Sequence, residues 1–310
     1  MPEQTRVDPQ RVKGTAPHRA GANAAQPFRL RCADGRELLA NWIAAPATRA
    51  VLVINPATGF PQTFYFRLAS YAAERGYDTL VYDYRGMGAS APATLASETC
   101  RMSDWGLHDM RAALATAAAH AAGLPVATLG HSLGGQFVGL LTNHALARVH
   151  VQIASSVGYW PWEQAPFKYL AWWFWRVHGP LMLAIKGYVP TGGGWTGLPL
   201  PREVFAEWRR WCLRPDHFGP DLRTYLSDNI FGEIRAPLLS VGFTDDPIAT
   251  RRTVAELDKF YPNAARESRW YTPADAGSPR IGHDGFFATR HRDTLWRPTF
   301  DWLDKKLGLP

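Results

Sequence analysis

Hydrophobic positions along this chain follow two rhythms. Short β-rich runs, the continuous AVLVIN at 50–55 and then DTLVYDY at 78–84, PVATL at 125–129, VHVQIAS at 149–155 and APLLSVGF at 236–243, are rich in aliphatic and β-branched residues. Such runs mark strands buried on both faces. Between them the apolar positions recur at helical spacing, in TFYFRLASYAAERG (63–76), DWGLHDMRAALATAAAHAAG (104–123) and QFVGLLTNHAL (136–146). Asp104 reads as a cap for the second of these, and Gly76 and Gly123 as stops. Two further apolar segments, 28–34 and 37–44, flank Asp34-Gly35 and predict a strand pair joined by a tight turn. After 243 the pattern continues as a helix (TRRTVAELDKFY), a short strand near SRWYT and a closing helix (DTLWRPTFDWLDKKLG). Strand and helix alternate from about 50 to 155, which predicts an α/β domain with a mainly parallel sheet.

The alternation breaks at 158–231. This stretch holds eight of the thirteen Trp, several Pro and a TGGG loop, and reads as an insertion into a single core formed by 27–157 and 232–310. Its most apolar part, YLAWWFWRVHGPLMLAIKGYV, is interrupted by Arg176, His178, Gly179 and Pro180, which argues against a bilayer span. Residues 1–26 are polar and rich in Pro, Gly and Ala, without the apolar core of a leader, and are expected to form a flexible tail.

With 310 residues, 46% hydrophobic and 20% charged, the chain can bury a substantial core. The formal charge of +7 comes from Lys and Arg mixed with Asp and Glu rather than from a basic tract, so a solvated surface is expected and no nucleic-acid partner. Cys32, Cys100 and Cys212 are far apart and form no CxxC pair. They suggest neither a zinc site nor a disulfide framework, and fit a reducing, cytoplasmic setting. No HExxH or carboxylate–His cluster points to a metal, GHSLGG lacks the Lys-Ser/Thr of a phosphate loop, and RGMGAS (85–90) is wrongly placed for a dinucleotide fingerprint. No cofactor is expected.

The strongest chemical signal is GHSLGG at 130–135, a G-x-S-x-G between a strand and a helix. A serine there sits on a turn so tight that its φ must be positive and its neighbours small. The turn lifts Ser132 Oγ above the sheet edge and sets the Leu133 amide at a helix start, where an oxyanion would form. A serine hydroxyl needs a base, and the base an orienting carboxylate, in chain order Ser, acid, His. Past the late strand stand Asp245 and Asp246. Asp245, third after Gly242, is the first choice for the acid, and Asp246 the alternative, one of the pair serving as a helix cap. His283, between Gly282 and Gly285, is the expected base. His291 reads as a surface residue, His131 as support for the turn and Asp83 as a structural hydrogen-bonder. The second oxyanion amide comes from NPATGF (55–60); Pro56 has no N–H, so Ala57 is the first choice and Thr58 the second.

GHSLGG, YDYRGMGAS, GFTDD and GHDGFF, in this order and spacing, resemble the α/β-hydrolase superfamily, and within it the serine hydrolases related to serine aminopeptidases and monoacylglycerol lipases. The resemblance covers roughly 28–308. It implies the α/β-hydrolase fold, a mainly parallel sheet with helices on both faces, and makes the 158–231 insertion a lid over Ser132. One departure is Asn55-Pro56 where the family commonly has His-Gly. The expected activity is hydrolysis of a carboxylic ester, thioester or amide with an apolar acyl or aryl part through an acyl-enzyme. Acyl transfer on the same triad is the alternative, and a non-catalytic binding protein the second. Thr58, Trp160 and Trp162 are expected to line the substrate site, other lid rings to pack among themselves, and a membrane-facing lid with interfacial Trp is a further reading.

Overall fold

The computed structural model describes residues 25–310; the expected tail lies outside the described residues except for Ala25 and Gln26, which belong to the first strand. An eight-stranded sheet runs in the order β1 (Ala25–Arg31), β2 (Glu37–Ile43), β4 (Tyr77–Tyr82), β3 (Ala50–Asn55), β5 (Val126–His131), β6 (Val149–Ile153), β9 (Pro237–Phe243), β10 (Ala265–Tyr271). β1 and β2 form the antiparallel hairpin expected at Asp34-Gly35, and β2 meets β4 antiparallel; every other pairing in this sheet is parallel. β3, β4, β5 and β6 are buried along their whole length, the polar side chains His150 and Gln152 of β6 included.

Helices cover both faces. On one face α1 (Phe66–Glu74) and α9 (Arg297–Leu307) pack Leu68, Ala72, Phe300 and Leu303 onto the sheet. On the other a helix begins as α2 (Met102–Asp104), widens through a π turn at Trp105–Met110 and continues as α3 (Arg111–Ala121). The Asp104 carboxylate accepts from the Arg101 amide at 2.8 Å, so Asp104 closes this helix start from inside its first turn. The alanines of α3, including Ala113 and Ala117, let it lie close to the sheet at no cost in helix propensity.

One predicted helix is cut short. α4 (Leu133–Gln136) turns 3₁₀ at Phe137–Leu140 and ends there. A Cβ on Gly139 would meet the Phe231 ring at 2.1 Å, and the Gly139 carbonyl accepts from the Ile230 amide at 2.7 Å. The residues returning toward β9 thus occupy the volume a longer helix would need.

Between β6 and β9 the chain forms α5 (Phe167–Trp173), a π turn (Phe174–His178), α6 (Gly179–Lys186), a two-stranded ribbon of β7 (Tyr188–Val189) with β8 (Leu200–Pro201), and α7 (Arg202–Cys212). α5 and α6 are one unbroken helix, and the π turn sits just before Pro180, which has no amide to give and would crowd the preceding turn of a regular helix. α8 (Arg251–Asp258) follows β9 and is capped by Thr250 Oγ1, which accepts from Thr253 N–H. No helix among the described residues is long and apolar enough to cross a membrane.

Candidate active site

Ser132 follows directly on β5 with φ 50° and ψ −113°, and its amide donates to the Ile153 carbonyl of neighbouring β6 at 2.8 Å. The glycines around it are there for close approach. A Cβ on Gly130 would stand 2.3 Å from the Gly134 carbonyl carbon, one on Gly134 2.2 Å from the Asn55 oxygen, and one on Gly135 2.1 Å from Ser155 Oγ. No side chain fits at any of the three, so the strained turn is held by backbone contact at Gly130 and Gly134 and by the Ser155 side chain at Gly135. Leu133 is the first residue of α4, and its amide has no earlier helical carbonyl to donate to.

The carboxylate paired with His283 differs from the first choice. His283 Nδ1 lies 2.8 Å from Asp246 Oδ2, while Asp245 Oδ2 accepts from the backbone amides of Ile281 and Gly282 at 2.8 and 3.1 Å. Asp245, the first choice from sequence, therefore holds the backbone of the loop that carries the histidine, and Asp246 holds its imidazole. β9 runs on to Phe243, so the residue third after the strand end is Asp246; counting from Gly242 placed the acid one residue early. Asp246 is fully buried, and its other oxygen accepts from the amides of Ile248 and Ala249 at 2.8 and 3.0 Å. One carboxylate thus closes the turn and orients the histidine together.

Burial by itself would lower the His283 pKa; the Asp246 charge and hydrogen bond outweigh it, and the net shift is upward from 6.5. Ser132 Oγ and the imidazole are not hydrogen-bonded in this structure, and contacts of this kind commonly tighten only in the substrate complex.

The two loops are tied through His131, which is fully buried and pushed well below 6.5, chiefly by burial. Its Nε2 lies 3.0 Å from the His283 carbonyl oxygen, which only accepts, so Nε2 carries the proton. Nδ1 then accepts from the Tyr65 hydroxyl at 3.0 Å, whose oxygen accepts from the Ala57 amide at 2.8 Å. This chain uses up the Ala57 N–H, the expected second oxyanion donor. The Pro56 carbonyl just before it is held by Tyr84 OH at 3.1 Å. With both groups held, the next amide, Thr58, is the remaining candidate, and Thr58 lines the cavity beside Ser132 and Leu133. His291, expected at the surface, is buried against Arg290. Asp83 accepts from the Gln62 and Ala89 amides, a structural place.

That cavity, of about 100 Å³, is walled by Phe167, Phe174, Trp175, Trp195 and Trp208. Trp160 and Trp162, expected there, lie outside it: Trp162 packs its ring on Tyr159 at 4.8 Å and beneath the Arg252 guanidinium at 4.1 Å. Nearness in sequence to the end of β6 misled, because the 3₁₀ turn Trp160–Trp162 faces α8, where Trp162 O accepts from Thr250 Oγ1. Trp195 instead stacks on Phe174 at 5.4 Å, and a Cβ on Gly59 would meet its ring at 2.5 Å. With Leu198 N–H donating to the Gly59 oxygen at 2.8 Å, the segment Trp195–Leu198 just after TGGG is seated on the loop that offers Thr58.

Three polar atoms of the cavity are buried without a partner: Thr58 Oγ1, Gln136 Oε1 and Glu163 Oε2. Glu163 was missed from sequence; the signal is a single acid among Trp, Pro and Phe in WPWEQAPF. Burial, then the nearby Asp246 charge, raises its pKa well above 4.5. The unfolded chain ionises Glu163 near 4.5 and the folded chain does not, so folding stability falls as pH rises above 4.5. Glu163→Gln is accordingly expected to raise Tm at neutral pH, with the gain vanishing below about pH 4.5; thermal unfolding at pH 4 and pH 7.5 checks it. No cluster of three or more His, Cys, Asp or Glu suited to a metal occurs among the described residues, whose three cysteines are free and buried.

The family described as serine aminopeptidase, S33, matches residues 46–189. No curated protein matches the chain in sequence. Among solved structures, a soluble variant of the Saccharomyces cerevisiae monoglyceride lipase, in complex with a substrate analogue, superposes with a TM-score of 0.66 at 15% identity, over 94% of this chain and 99% of that one. A Pyrococcus furiosus esterase gives 0.62 at 14%, covering 94% and 97%. The mouse alpha/beta hydrolase domain-containing protein 10 gives 0.57 at 14%, covering 91% and 99%. A mainly parallel eight-stranded sheet, a serine on a strained strand-to-helix turn, and these matches lead to one assignment: the chain has the α/β-hydrolase fold, and its residues 46–189 match the serine aminopeptidase family.

Proposed function

We propose that this enzyme cleaves a carboxylic ester with an apolar acyl or aryl part, with Ser132 as nucleophile, His283 as base and Asp246 as the orienting acid. The observation that carries the reading is the meeting of Ser132, on its positive-φ turn, with a cavity walled by five aromatic rings. Ser132 Oγ attacks the acyl carbon as His283 Nε2 takes its proton. The oxyanion is met by the amides of Leu133 and Thr58. The proton returns from Nε2 to the leaving alcohol, and water repeats the sequence on the acyl-serine. The similarity to a monoglyceride lipase and an esterase supports an ester over an amide. Residues 158–231 act as the lid, supplying the five rings and excluding water above the serine.

Labelling with a fluorophosphonate and hydrolysis of p-nitrophenyl esters of increasing chain length test this reading. Each methylene buried in the cavity is worth up to about 0.8 kcal/mol, roughly fourfold in kcat/KM, until the space is full. The profile should rise, then break sharply. Trp195→Ala or Trp208→Ala should move the break to longer chains while leaving the labelling rate of Ser132 within about tenfold. A flat profile would set an acyl cavity aside, and absence of labelling would favour a binding protein. Product partition toward an added alcohol, beyond its mole fraction against water, would favour acyl transfer.

A further inference from the structure

Six of the nine large hydrophobic side chains that stand exposed among the described residues lie between 169 and 185: Tyr169, Leu170, Trp172, Trp173, Leu181 and Ile185. They belong to the single helix formed by α5, the π turn and α6. Tyr169, Trp173, Leu181 and Ile185, with half-buried Val177 between, follow each other at four-residue steps and so form one stripe. The opposite side of the helix carries Ala171, Phe174, Trp175 and Gly179, all buried, with Phe174 and Trp175 on the Phe205 and Trp208 rings of α7. The helix therefore spends one apolar face on the fold and leaves a second in water. Exposed apolar residues scattered singly need no account, but a contiguous set marks a contact surface.

Two observations say what covers it. The first is charge. Between Glu163 and Glu203 the sequence has no Asp or Glu, while Lys168, Arg176, Lys186 and Arg202 flank the stripe. Arg209, which donates to the Trp175 carbonyl at 2.6 Å from α7, adds to the same sign. The second is continuity. Leu170, exposed beside the stripe, is also part of the wall of the Ser132 cavity, so the patch runs into the mouth of the site. A helix with Trp and Tyr on an apolar face, cations beside it and no anions has the composition of one that lies in the plane of a lipid surface. It is not a spanning helix.

We propose that the face of the α5–α6 helix is a docking surface for an anionic lipid bilayer, seating the cavity mouth at Leu170 against the lipid phase. Docking is read without turnover, so it stands or falls apart from the ester reading. The test is co-sedimentation of the full chain with vesicles of equimolar phosphatidylcholine and phosphatidylglycerol. The protein should pellet with these vesicles, less in pure phosphatidylcholine and less in high salt. The double variant Leu181→Ser/Ile185→Ser should partition at least about tenfold more weakly while hydrolysing a short soluble ester as the parent does. Should that variant fold poorly, the unmodified protein serves: lipids brominated along the chain should quench its tryptophan emission, and Trp172→Phe/Trp173→Phe should remove most of the quenching. Failure of the protein to pellet, or equal pelleting of the double variant, would overturn the proposal. A lipid-free dimer that the double variant turns into a monomer would assign the face to a second copy and overturn it as well.

Discussion

Ser132→Ala is expected to abolish ester turnover, lowering kcat by about four to six powers of ten, and to abolish fluorophosphonate labelling, with the melting temperature nearly unchanged. The size follows from chemistry: only the hydroxyl oxygen is removed, and in the proposed mechanism it is the atom that forms the acyl bond. The unchanged stability follows from the turn. Ser132 is held at φ 50° by contact between Gly130, Gly134 and the Asn55 carbonyl and by its amide bond to Ile153, none of which involves the hydroxyl. Alanine meets the same strain as serine there. Residual activity within tenfold of the parent would remove Ser132 from the mechanism.

Asp246→Asn is expected to cost about 10⁴ in kcat/KM, and Asp245→Asn less than about tenfold. Asp246 Oδ1 accepts from two amides, at Ile248 and Ala249. An asparagine must keep its carbonyl oxygen toward those donors and so turns its NH₂ toward His283. A donor facing Nδ1 places the imidazole proton on Nε2, where it cannot take the proton of Ser132. At position 245 the amides of Ile281 and Gly282 need only an acceptor, which the asparagine carbonyl supplies. The pH profile gives a second readout. The base acts when neutral, and its pKa is raised, so kcat/KM of the parent falls as pH drops through a value above 6.5. In Asp246→Asn burial is left without its counterweight, and that limb should move to lower pH. If Asp245→Asn is the crippling change, the carboxylate roles are the reverse of those drawn from the hydrogen bonds.

What could be read from sequence tracks the range of the interactions involved. β3, β4, β5, β6 and β9 were legible because strands buried on both faces are short and rich in aliphatic and β-branched residues. The strained turn at Ser132 was legible because its steric demands act within six residues. Asp245 and Asp246 were not separable, since each accepts hydrogen bonds and only the end of β9, set by pairing to β10, decides which faces His283. Ala57 was misjudged because its amide is consumed by Tyr65, which His131 in turn positions, a chain reaching from 57 to 283. The cavity rings were misjudged for the same reason: Trp195 reaches the site by folding back onto Gly59.

β6 and β9 are parallel neighbours, with His150 opposite Leu238 and Ile153 opposite Val241. The chain leaves β6 at the end that bears Ser132 and must enter β9 at the far end of the sheet. A parallel pair needs a crossover of a dozen or more residues. If 158–231 were excised, only 154–157 and 232–236 would remain to make that journey. The segment therefore cannot be an accessory that evolution clips on and off: part of it is wiring. A chimera that swaps the helix α5–α6 while keeping Ile230 and Phe231 on Gly139 preserves the return path that simple deletion destroys.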